Sequence, residues 1–397
     1  MLSETLFCFT LDWLGATIVA MKPYVPQELP LSEVAWIQLI PLIGQANRQL
    51  AEYNGVLYTF TNPELLLSPL TTQEAVLSSK IEGTQATLGE VLKFEAGEEP
   101  ELESRRQDIQ EIMNYRHALK EAEEELRTRP FNLNLLLQLH STLLDSVRGR
   151  NKARGSFRKD QNWIGSPGST IEEAEFIPPA PGDSLEKALH NWESYYHDDR
   201  PDALVQLAIT HAQFEILHPF LDGNGRLGRI LIPLFLFEKK ILSRPTFYLS
   251  EYLENNRETY VHLLRDLGKE EDAWNAWIRF FLSGLIEQAK NNVQKARQIH
   301  ALYERLKLQM LNLTHSQFAV PMLDLMFKQP IFSTSSLVRT SLQDEKTRMP
   351  SNPMIMNILG KLKSADILKV IRRNQGARSQ ILALAELVNL CEGKQVV

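Results

Sequence analysis

The sequence predicts a mainly helical protein that ends in a small module of short helices and strands. Over most of the first 290 positions, apolar residues recur at the spacing of one helix face. Two stretches depart from this pattern. In residues 154–181, Gly, Pro and aromatic residues replace the helical period, and at the end of the chain short helical and β-prone runs alternate. A chain of 397 residues exceeds one small core, so we expect two or three domains.

The composition is that of an ordinary soluble globular protein, with 43% hydrophobic and 23% charged residues. The net charge of −6 argues against nucleic-acid binding by the whole chain, although a local basic patch remains compatible with it. The two cysteines, Cys8 and Cys391, form neither a disulfide framework nor a metal-ligand spacing. Two cysteines without a disulfide pattern fit a protein of the reducing cytoplasm.

The first twenty residues (1–20) predict an N-terminal extension without structure of its own. The run from Leu6 to Ala20 is fairly apolar, but Asp12 interrupts it. It is too short for a membrane span, and it lacks the basic start of a signal peptide. We therefore expect the physiological start at Met21 and no membrane association.

Residues 21–130 predict a helical N-terminal region. A first helix spans Leu31 to about Tyr53, where an Asn-Gly pair ends it. The stretch from Thr71 to Glu74 resembles a capping box and predicts a second helix over about 71–83. Helical spacing places Ser78 and Glu82 of this helix on one face. Further helices are expected at 105–129, 131–148, 184–196, 202–217 and 273–289.

The stretch 218–229, His-Pro-Phe-Leu-Asp-Gly-Asn-Gly-Arg-Leu-Gly-Arg, lies between two apolar helical runs. The second helix starts inside the Gly-Asn-Gly turn, so its free backbone N–H groups form an anion site. Arg226 and Arg229 are three apart and can grip one polyphosphate together. Asp222 suits Mg2+ on a nucleotide, and His218 can take a proton from a hydroxyl. Each feature alone is common in ordinary turns, but their succession within twelve residues predicts a nucleotide site.

This stretch resembles the signature of the Fic proteins, His-x-Phe-x-Asp/Glu-Gly-Asn-Gly-Arg-x-x-Arg, at every fixed position. The resemblance implies a Fic-type helical core over 131–290 and transfer of AMP from ATP, with Mg2+, to a hydroxyl side chain of a target protein or of the enzyme itself. The related Doc type carries Lys where this chain has Gly225, which argues against kinase-like use of the nucleotide. The implied roles are catalytic base for His218, Mg2+ ligand for Asp222, and phosphate contacts for Gly223, Asn224, Gly225, Arg226, Leu227, Gly228 and Arg229.

The sequence Ser78-x-x-x-Glu82-Gly83 resembles the inhibitory motif of this family, in the subclass that carries it before the core. The resemblance implies that Glu82 pairs with Arg229 and thereby blocks the γ-phosphate position. The alternative is that Glu82 is an ordinary surface carboxylate at the end of a helix.

Residues 162–164 and 175–177 predict two short strands around the turn 165–169, which together form a β-hairpin. Its free edge can pair with an extended target segment. In Fic proteins such a hairpin, here about 156–180, is the flap that aligns the target, whereas the alternative is a simple surface hairpin. Tyr260 resembles the family tyrosine that closes over adenine, but Val261 departs from the second tyrosine of some members.

Residues 291–397 predict a linker helix and a winged-helix-like domain. Three short helices at 321–327, 333–339 and 353–362 precede strands at 367–371 and 380–384, which is the winged-helix order. Contact with DNA and docking to protein, including a homodimer, are equally compatible with this domain. The second reading of the whole chain is therefore a nucleotide-sensing DNA-binding regulator, and a third is a Fic-type transferase with another donor such as UTP or CDP-choline. The basic residues of its tip are Lys361, Lys363, Lys369, Arg372, Arg373 and Arg378.

Overall fold

The computed structural model describes residues 22–60, 62–147, 152–165, 168–267, 272–337, 350–374 and 379–397. The expected N-terminal extension and the start at Met21 lie outside the described residues. So do Arg378, the middle of the turn predicted at 165–169, and the end of the helix predicted at 333–339.

The described residues form a mainly helical protein with one small sheet, as predicted. The helices of the first half are α1 (Trp36–Tyr58), α2 (Pro63–Ile81), α3 (Leu88–Glu95), α4 (Glu103–Leu126), α5 (Leu133–Leu143), α6 (Asp183–His197) and α7 (Ala203–Leu217). They continue with α8 (Asn224–Glu238), α9 (Ser250–Asn255), α10 (Arg257–Asp266), α11 (Ala273–Thr314), α12 (Ala319–Lys328), α13 (Asn352–Ser364) and α14 (Ala385–Glu392). The strands are β1 (Ile331–Ser333), β2 (Lys369–Arg372) and β3 (Ile381–Ala383).

Helices α7 and α8 lie at the centre of the molecule. Both are buried on nearly every side, because α7 is apolar around its whole circumference and α8 is covered from its second turn onward. Helix α7 packs against α6, α8 and α11, and α8 also packs against α4 and α2. The turn between α7 and α8 is therefore held by a rigid, packed pair of helices.

Helix α1 runs to Tyr58, so the prediction that the Asn-Gly pair ends it was wrong. Its buried face includes Leu50, Tyr53 and Leu57 and packs along α11. Packing of this kind stabilises a helix more than the low propensity of one Asn and one Gly destabilises it.

Helix α2 begins at Pro63, eight residues before the predicted capping box at Thr71, so that prediction was also wrong. Proline is well suited to the first turn, where its missing N–H has no partner to lose. The hydroxyl groups of Thr71 and Thr72 bond to carbonyls one turn back, at Leu67 and Ser68, as expected inside a helix. The predicted end near Gly83 is confirmed, since Gly83 adopts a φ of +101°.

The C-terminal residues form a three-stranded antiparallel sheet with the order β1-β3-β2. Leu382 in the central strand is opposite both Phe332 and Val370. The helices predicted at 321–327 and 353–362 and the strands predicted at 367–371 and 380–384 are present, whereas β1 and α14 were not predicted. The assignment to the winged-helix class, with DNA or protein as its partner, stays a prediction. This module lies on the N-terminal region, since α12 and α14 pack on α2, and β1 packs on α3.

Helix α11 is continuous over 42 residues and passes through position 290, where a domain boundary was expected. Among the described residues, no helix is long and apolar enough to cross a membrane.

Candidate active site

The chain leaves α7 at His218, whose backbone is in the left-handed region with φ 43° and ψ 58°. Pro219 follows and cannot continue the helix. The His218 Nδ1 atom lies 3.3 Å from the carbonyl oxygen of Glu215, and a carbonyl can only accept, so Nδ1 carries the proton. Nε2 therefore keeps its lone pair. Burial lowers the pKa of His218 to about 4, which leaves the ring neutral and able to accept a proton near pH 7.

The turn after His218 is held by side chains rather than by strands. The amide of Asn224 closes a ring with Phe220, accepting from its N–H at 2.9 Å and donating to its carbonyl at 2.8 Å. Phe220 is fully buried and stacks on His140 at 3.8 Å between ring centroids, which anchors the turn in the core. The Asn224 side chain is thus used inside the turn, and only its backbone can face an anion.

His140 supports the same turn from α5. Its Nδ1 accepts the backbone N–H of Gly155 at 3.0 Å, so Nε2 carries the proton and donates to the Asp222 carbonyl, also at 3.0 Å. Burial lowers the pKa of His140 to about 4, and the ring is fully buried. This geometry gives His140 a role in packing and in holding the turn.

Helix α8 starts at Asn224 after Gly223, which has a φ of +81°. A Cβ at Gly223 would meet Leu143 at 3.4 Å, so the left-handed turn and the close packing both favour glycine. The N–H groups of Asn224, Gly225 and Arg226 come before the first intrahelical bond, which is donated by Leu227 to Gly223 at 3.0 Å. These three free donors are the groups that the predicted anion site requires.

Arg229, one turn into α8, is held by the end of α2. Its Nε donates to the Ser78 hydroxyl at 2.8 Å, and Nη2 donates to the Ser78 carbonyl at 2.9 Å and to Glu82 Oε1 at 2.7 Å. Arg229 is 2% exposed, whereas the Glu82 side chain is 40% exposed. Desolvation opposes the ionisation of Glu82, but Arg229 outweighs it and holds the pKa of Glu82 below its usual range. Ser78, Glu82 and Arg229 are therefore brought together as the sequence predicted.

Arg226 is held by two carboxylates, and its joint grip with Arg229 on one polyphosphate stays a prediction. Its Nη1 donates to Glu111 of α4 at 2.9 Å, and both side chains are almost fully buried. Nη2 lies 3.4 Å from Asp222 Oδ1. Arg226 and Arg229 are three residues apart, and this spacing predicted that they share one side of the helix. In the structure Arg226 binds the buried carboxylate on α4. No local sequence pattern marks that carboxylate.

Asp222 is the carboxylate that faces the helix start, and 38% of its side chain is exposed. Among the described residues, no group of three or more His, Cys, Asp or Glu side chains could hold a metal ion by itself. Magnesium on a nucleotide needs only one or two protein carboxylates, because phosphate oxygens and waters supply the other ligands. Asp222 therefore fits such a role.

Tyr260 lies in the core rather than over an open cleft, with 4% of its surface exposed. Its hydroxyl is 3.1 Å from His211 Nε2, and its ring lies 5.8 Å from that of Trp277. His211 Nδ1 in turn lies 3.2 Å from the Gly228 carbonyl, so Tyr260 is linked to the start of α8. This buried position gives no support to the adenine wall, and the contact with adenine stays a prediction.

The predicted flap reduces to a single antiparallel bridge between Ile164 and Phe176. Two strands were predicted there, and that was wrong: the backbones of Ile164 and Phe176 bond to each other at one bridge, and no longer ladder forms between the described residues of the flap. Trp163, beside the bridge, is 42% exposed. On the other side of the bridge, the backbone N–H of Tyr24 donates to the Ile177 carbonyl at 2.9 Å, so part of the flap edge is already paired.

Sequence reasoning missed three buried groups around this site: Glu111, Arg158 and Glu215. Glu111 pairs with Arg226, and Arg158 bonds to the carbonyl of His218 at 2.9 Å. Glu215 has a buried Oε1 without a hydrogen-bond partner in the described part of the chain, and burial raises its pKa to about 7. Glu215 lies just before the signature, and Arg158 lies in the flap. Their charged side chains beside these predicted features were the signal that could have identified them.

Comparison with known proteins agrees with this geometry. Residues 40–124 match the profile of the Fic/DOC family N-terminal region, and residues 130–236 match that of the Fic/DOC family. A probable protein adenylyltransferase of Aquifex aeolicus is 28% identical over 211 residues, which cover 51% of this chain and 57% of that protein. The protein adenylyltransferase Fic of Drosophila melanogaster is 29% identical over 150 residues, 36% of this chain and 26% of that protein. The chain thus spans less than two thirds of either relative.

The fold is also found among solved structures. A Fic family protein from Desulfovibrio desulfuricans G20 superposes with a TM-score of 0.55 and 19% identity, covering 91% of this chain and 98% of that one. This likeness shows the fold. Together with the two matched profiles and the complete signature at 218–229, it shows that the chain belongs to the Fic/DOC family.

Proposed function

We propose that this protein transfers AMP from ATP to a hydroxyl side chain of a target protein, or of itself, and that Glu82 restrains this activity. The observation that carries the proposal is the start of α8. There a histidine with a free Nε2, a helix start with three free backbone N–H groups and an arginine paired with a carboxylate lie close together. The names of the relatives from Aquifex aeolicus and Drosophila, both protein adenylyltransferases, support the same chemistry.

In the proposed reaction, His218 Nε2 accepts the proton of the target hydroxyl. The hydroxyl oxygen forms a bond to the α-phosphorus of ATP, the bond from that phosphorus to the bridging oxygen of the β-phosphate breaks, and pyrophosphate leaves. The backbone N–H groups of Asn224, Gly225 and Arg226 stabilise the negative charge on the phosphates. Leu227 and Gly228 continue this first turn and keep the backbone close to the nucleotide.

Mg2+, held by Asp222, would supply positive charge to the phosphate oxygens. The chain keeps Asp222 in place through two contacts, one from His140 to its carbonyl and one from Arg226 to its carboxylate. Arg226 acts in this arrangement mainly from behind the turn. Its charge is shared with Glu111 on one side and Asp222 on the other.

Arg229 is proposed to meet the γ-phosphate. In the structure this guanidinium already binds Glu82, and the carboxylate would repel a phosphate at the same place. ATP could then bind only with its triphosphate displaced and its α-phosphorus out of line with His218. Small misplacements of this kind cost orders of magnitude in rate.

The test uses two labels on ATP. The Glu82→Gly protein should transfer label from ATP labelled at the α-phosphate, and not from ATP labelled at the γ-phosphate. Adding His218→Ala should abolish transfer while nucleotide binding, measured by calorimetry, survives. The matched control is His190→Ala, which changes an exposed histidine on α6.

Three results would contradict the proposal in different ways. Transfer of the γ-label would indicate kinase chemistry. Transfer from labelled UTP or CDP-choline but not from ATP would assign another donor. Equal labelling with and without His218 would remove this residue from the proton transfer.

A further inference from the structure

Arg158, on the flap, is a buried cation whose hydrogen-bond partners in the described chain are all main-chain carbonyl oxygens. It is 2% exposed. Its Nε donates to the His218 carbonyl at 2.9 Å, and Nη2 donates to the carbonyls of Pro179 and Leu217. Nη1 lies 3.4 Å from the carbonyl of Asp160.

These bonds join three parts of the site. Leu217 and His218 form the C-terminal end of α7, Pro179 is the far end of the flap, and Arg158 itself is at its near end. The backbone N–H of Arg158 adds a bond to the Pro219 carbonyl at 2.9 Å. A positive charge at a helix C-terminus is favourable, because the free carbonyls there carry partial negative charge.

Asn162 acts on the same backbone from the next turn of the flap. Its Nδ2 donates to the His218 carbonyl at 3.3 Å and to the Phe220 carbonyl at 3.1 Å. The His218 carbonyl therefore receives bonds from two flap side chains. His218 has the left-handed backbone that a non-glycine residue rarely adopts, so these bonds stabilise a conformation that would otherwise be unfavourable.

We propose that Arg158 is a positioning residue for the proposed AMP transfer: it fixes the backbone of His218 and ties both ends of the flap to it. The base and the edge that receives the target then keep one relative orientation. This inference rests on the proposed function. The positioning role requires the buried guanidinium group of Arg158, whose N–H groups reach several carbonyls at once. A lysine can place only one ammonium group among the same carbonyls.

The charge of Arg158 has a second effect on the same histidine. Burial and the positive charge of Arg158 lower the pKa of His218, whereas the carboxylates of Glu82 and Asp222 and the bond to the Glu215 carbonyl raise it. Removal of Arg158 should therefore move the pKa of His218 upward. A substitution that loosened the fold would also raise this pKa, by exposing His218 to water, so the comparison with Arg158→Lys, which keeps the charge, separates the two causes.

The first measurement is an NMR titration of the His218 ring in the full chain, with its signal assigned by its loss in His218→Ala. Arg158→Met, which keeps the length and loses charge and donors, should raise the pKa of His218 by about 0.5 to 1 unit. Arg158→Lys, which keeps the charge, should shift it less. An unchanged titration in a folded Arg158→Met protein would overturn the electrostatic part of the proposal.

The second measurement uses Glu82→Gly as the background. Arg158→Met should lower kcat by about 100-fold, with the Kd for ATP unchanged, because the helix start that binds phosphate is untouched. Arg158→Lys should recover part of the loss. If Arg158→Met does not fold, Asn162→Ala decides, since it removes one of the two donors to the His218 carbonyl and should lower kcat in the same direction by a smaller factor.

The outcomes separate this inference from the proposed function. The titration and the ATP affinity require no turnover, so absence of AMP transfer together with a shifted His218 would reject the proposed function alone. A kcat within twofold of the background in both Arg158→Met and Asn162→Ala would reject the positioning role. So would a loss of ATP affinity as large as the loss of kcat.

Discussion

Arg229 is the residue for which the nucleotide and the inhibitory helix compete in the proposed mechanism. A bidentate pair with Glu82 would be the strongest arrangement, but the structure divides the guanidinium between Ser78 and Glu82. Ser78 thus holds Arg229 in place with two bonds and adds no negative charge. Glu82 supplies the charge that would repel the γ-phosphate.

The first prediction follows from this division. Glu82→Gly should raise the initial rate of self-labelling by about tenfold or more, because it frees Arg229 and removes the repulsion. Glu82→Asp should raise it less, and Ser78→Ala should raise it less than Glu82→Gly. The measurement is a labelling time course, with Arg229→Ala added to Glu82→Gly to show that the gain depends on that arginine. Equal rates for wild type and Glu82→Gly would make Glu82 a surface carboxylate.

Glu215 gives the second prediction, which concerns pH. Burial raises its pKa to about 7, above the ordinary value of 4.5, so the folded protein prefers the protonated form. Its contribution to stability is complete below pH 4.5 and is lost as the pH rises through about 7. Between pH 5 and pH 8, the free energy of unfolding should therefore fall less in Glu215→Gln than in wild type. The difference between the two losses should be about 1 kcal/mol or more.

Urea unfolding at the two pH values measures this difference. Glu258→Gln, which changes an exposed carboxylate on α10, is the control and should follow wild type. Glu74 is also buried with its pKa raised to about 7, so part of the loss should persist in Glu215→Gln. The same pH dependence in wild type and Glu215→Gln would contradict the buried, protonated carboxylate.

Among the elements, the sequence predicted best what is local. The end of α7, the start of α8 inside Gly-Asn-Gly and the end of α2 before Gly83 follow from backbone preferences, and all three are confirmed. The pairing of Arg226 with α4 and the packing of α12 and α14 on α2 are contacts between elements that are distant in sequence. Single-sequence patterns carry no information on such pairs, and the start predicted for α2 at Thr71 was wrong.

The first turn of α8 gives the third prediction. A Cβ at Gly225 would lie 2.2 Å from Glu82 Oε1 and 2.9 Å from Arg229 Nη1, so the inhibitory pair fills the space beside this glycine. Gly225→Ala should destabilise the wild-type protein by about 1 to 3 kcal/mol, because one partner must move. In Glu82→Gly the same change should cost clearly less. Urea unfolding of the four proteins measures this coupling without any catalytic assay.

Gly44→Ala is the matched control for this cycle. Gly44 lies inside α1 with nothing within 4 Å of its added Cβ, so alanine there should be neutral or slightly stabilising in both backgrounds. An equal cost of Gly225→Ala with and without Glu82 would mean that α2 does not occupy this space in solution.

At the scale of the whole molecule, the C-terminal module lies on α2, the helix that precedes Glu82. Helices α12 and α14 pack on α2, and Ser68 of α2 donates to the Lys328 carbonyl at 3.3 Å. Arg372 of β2 lies 3.5 Å from Glu98, just beyond α3. The residues of the proposed phosphate site all precede this module, and α2 packs against it. The sequence predicted the module and its separate pattern but gave no sign of what it contacts.

The last prediction tests whether these contacts hold Glu82 in place. Leu323, on α12, is fully buried, and Leu323→Ala should leave a cavity in the packing of the module. If that packing holds α2, the Glu82–Arg229 pair should weaken, and self-labelling should rise about threefold or more while circular dichroism shows an intact fold. The gain should vanish in the Glu82→Gly background, where no inhibitory contact remains to be weakened. Leu308→Ala, an exposed position on α11, is the control and should change neither rate. An unchanged rate for a folded Leu323→Ala protein, or an equal gain with and without Glu82, would show that the module does not act on α2.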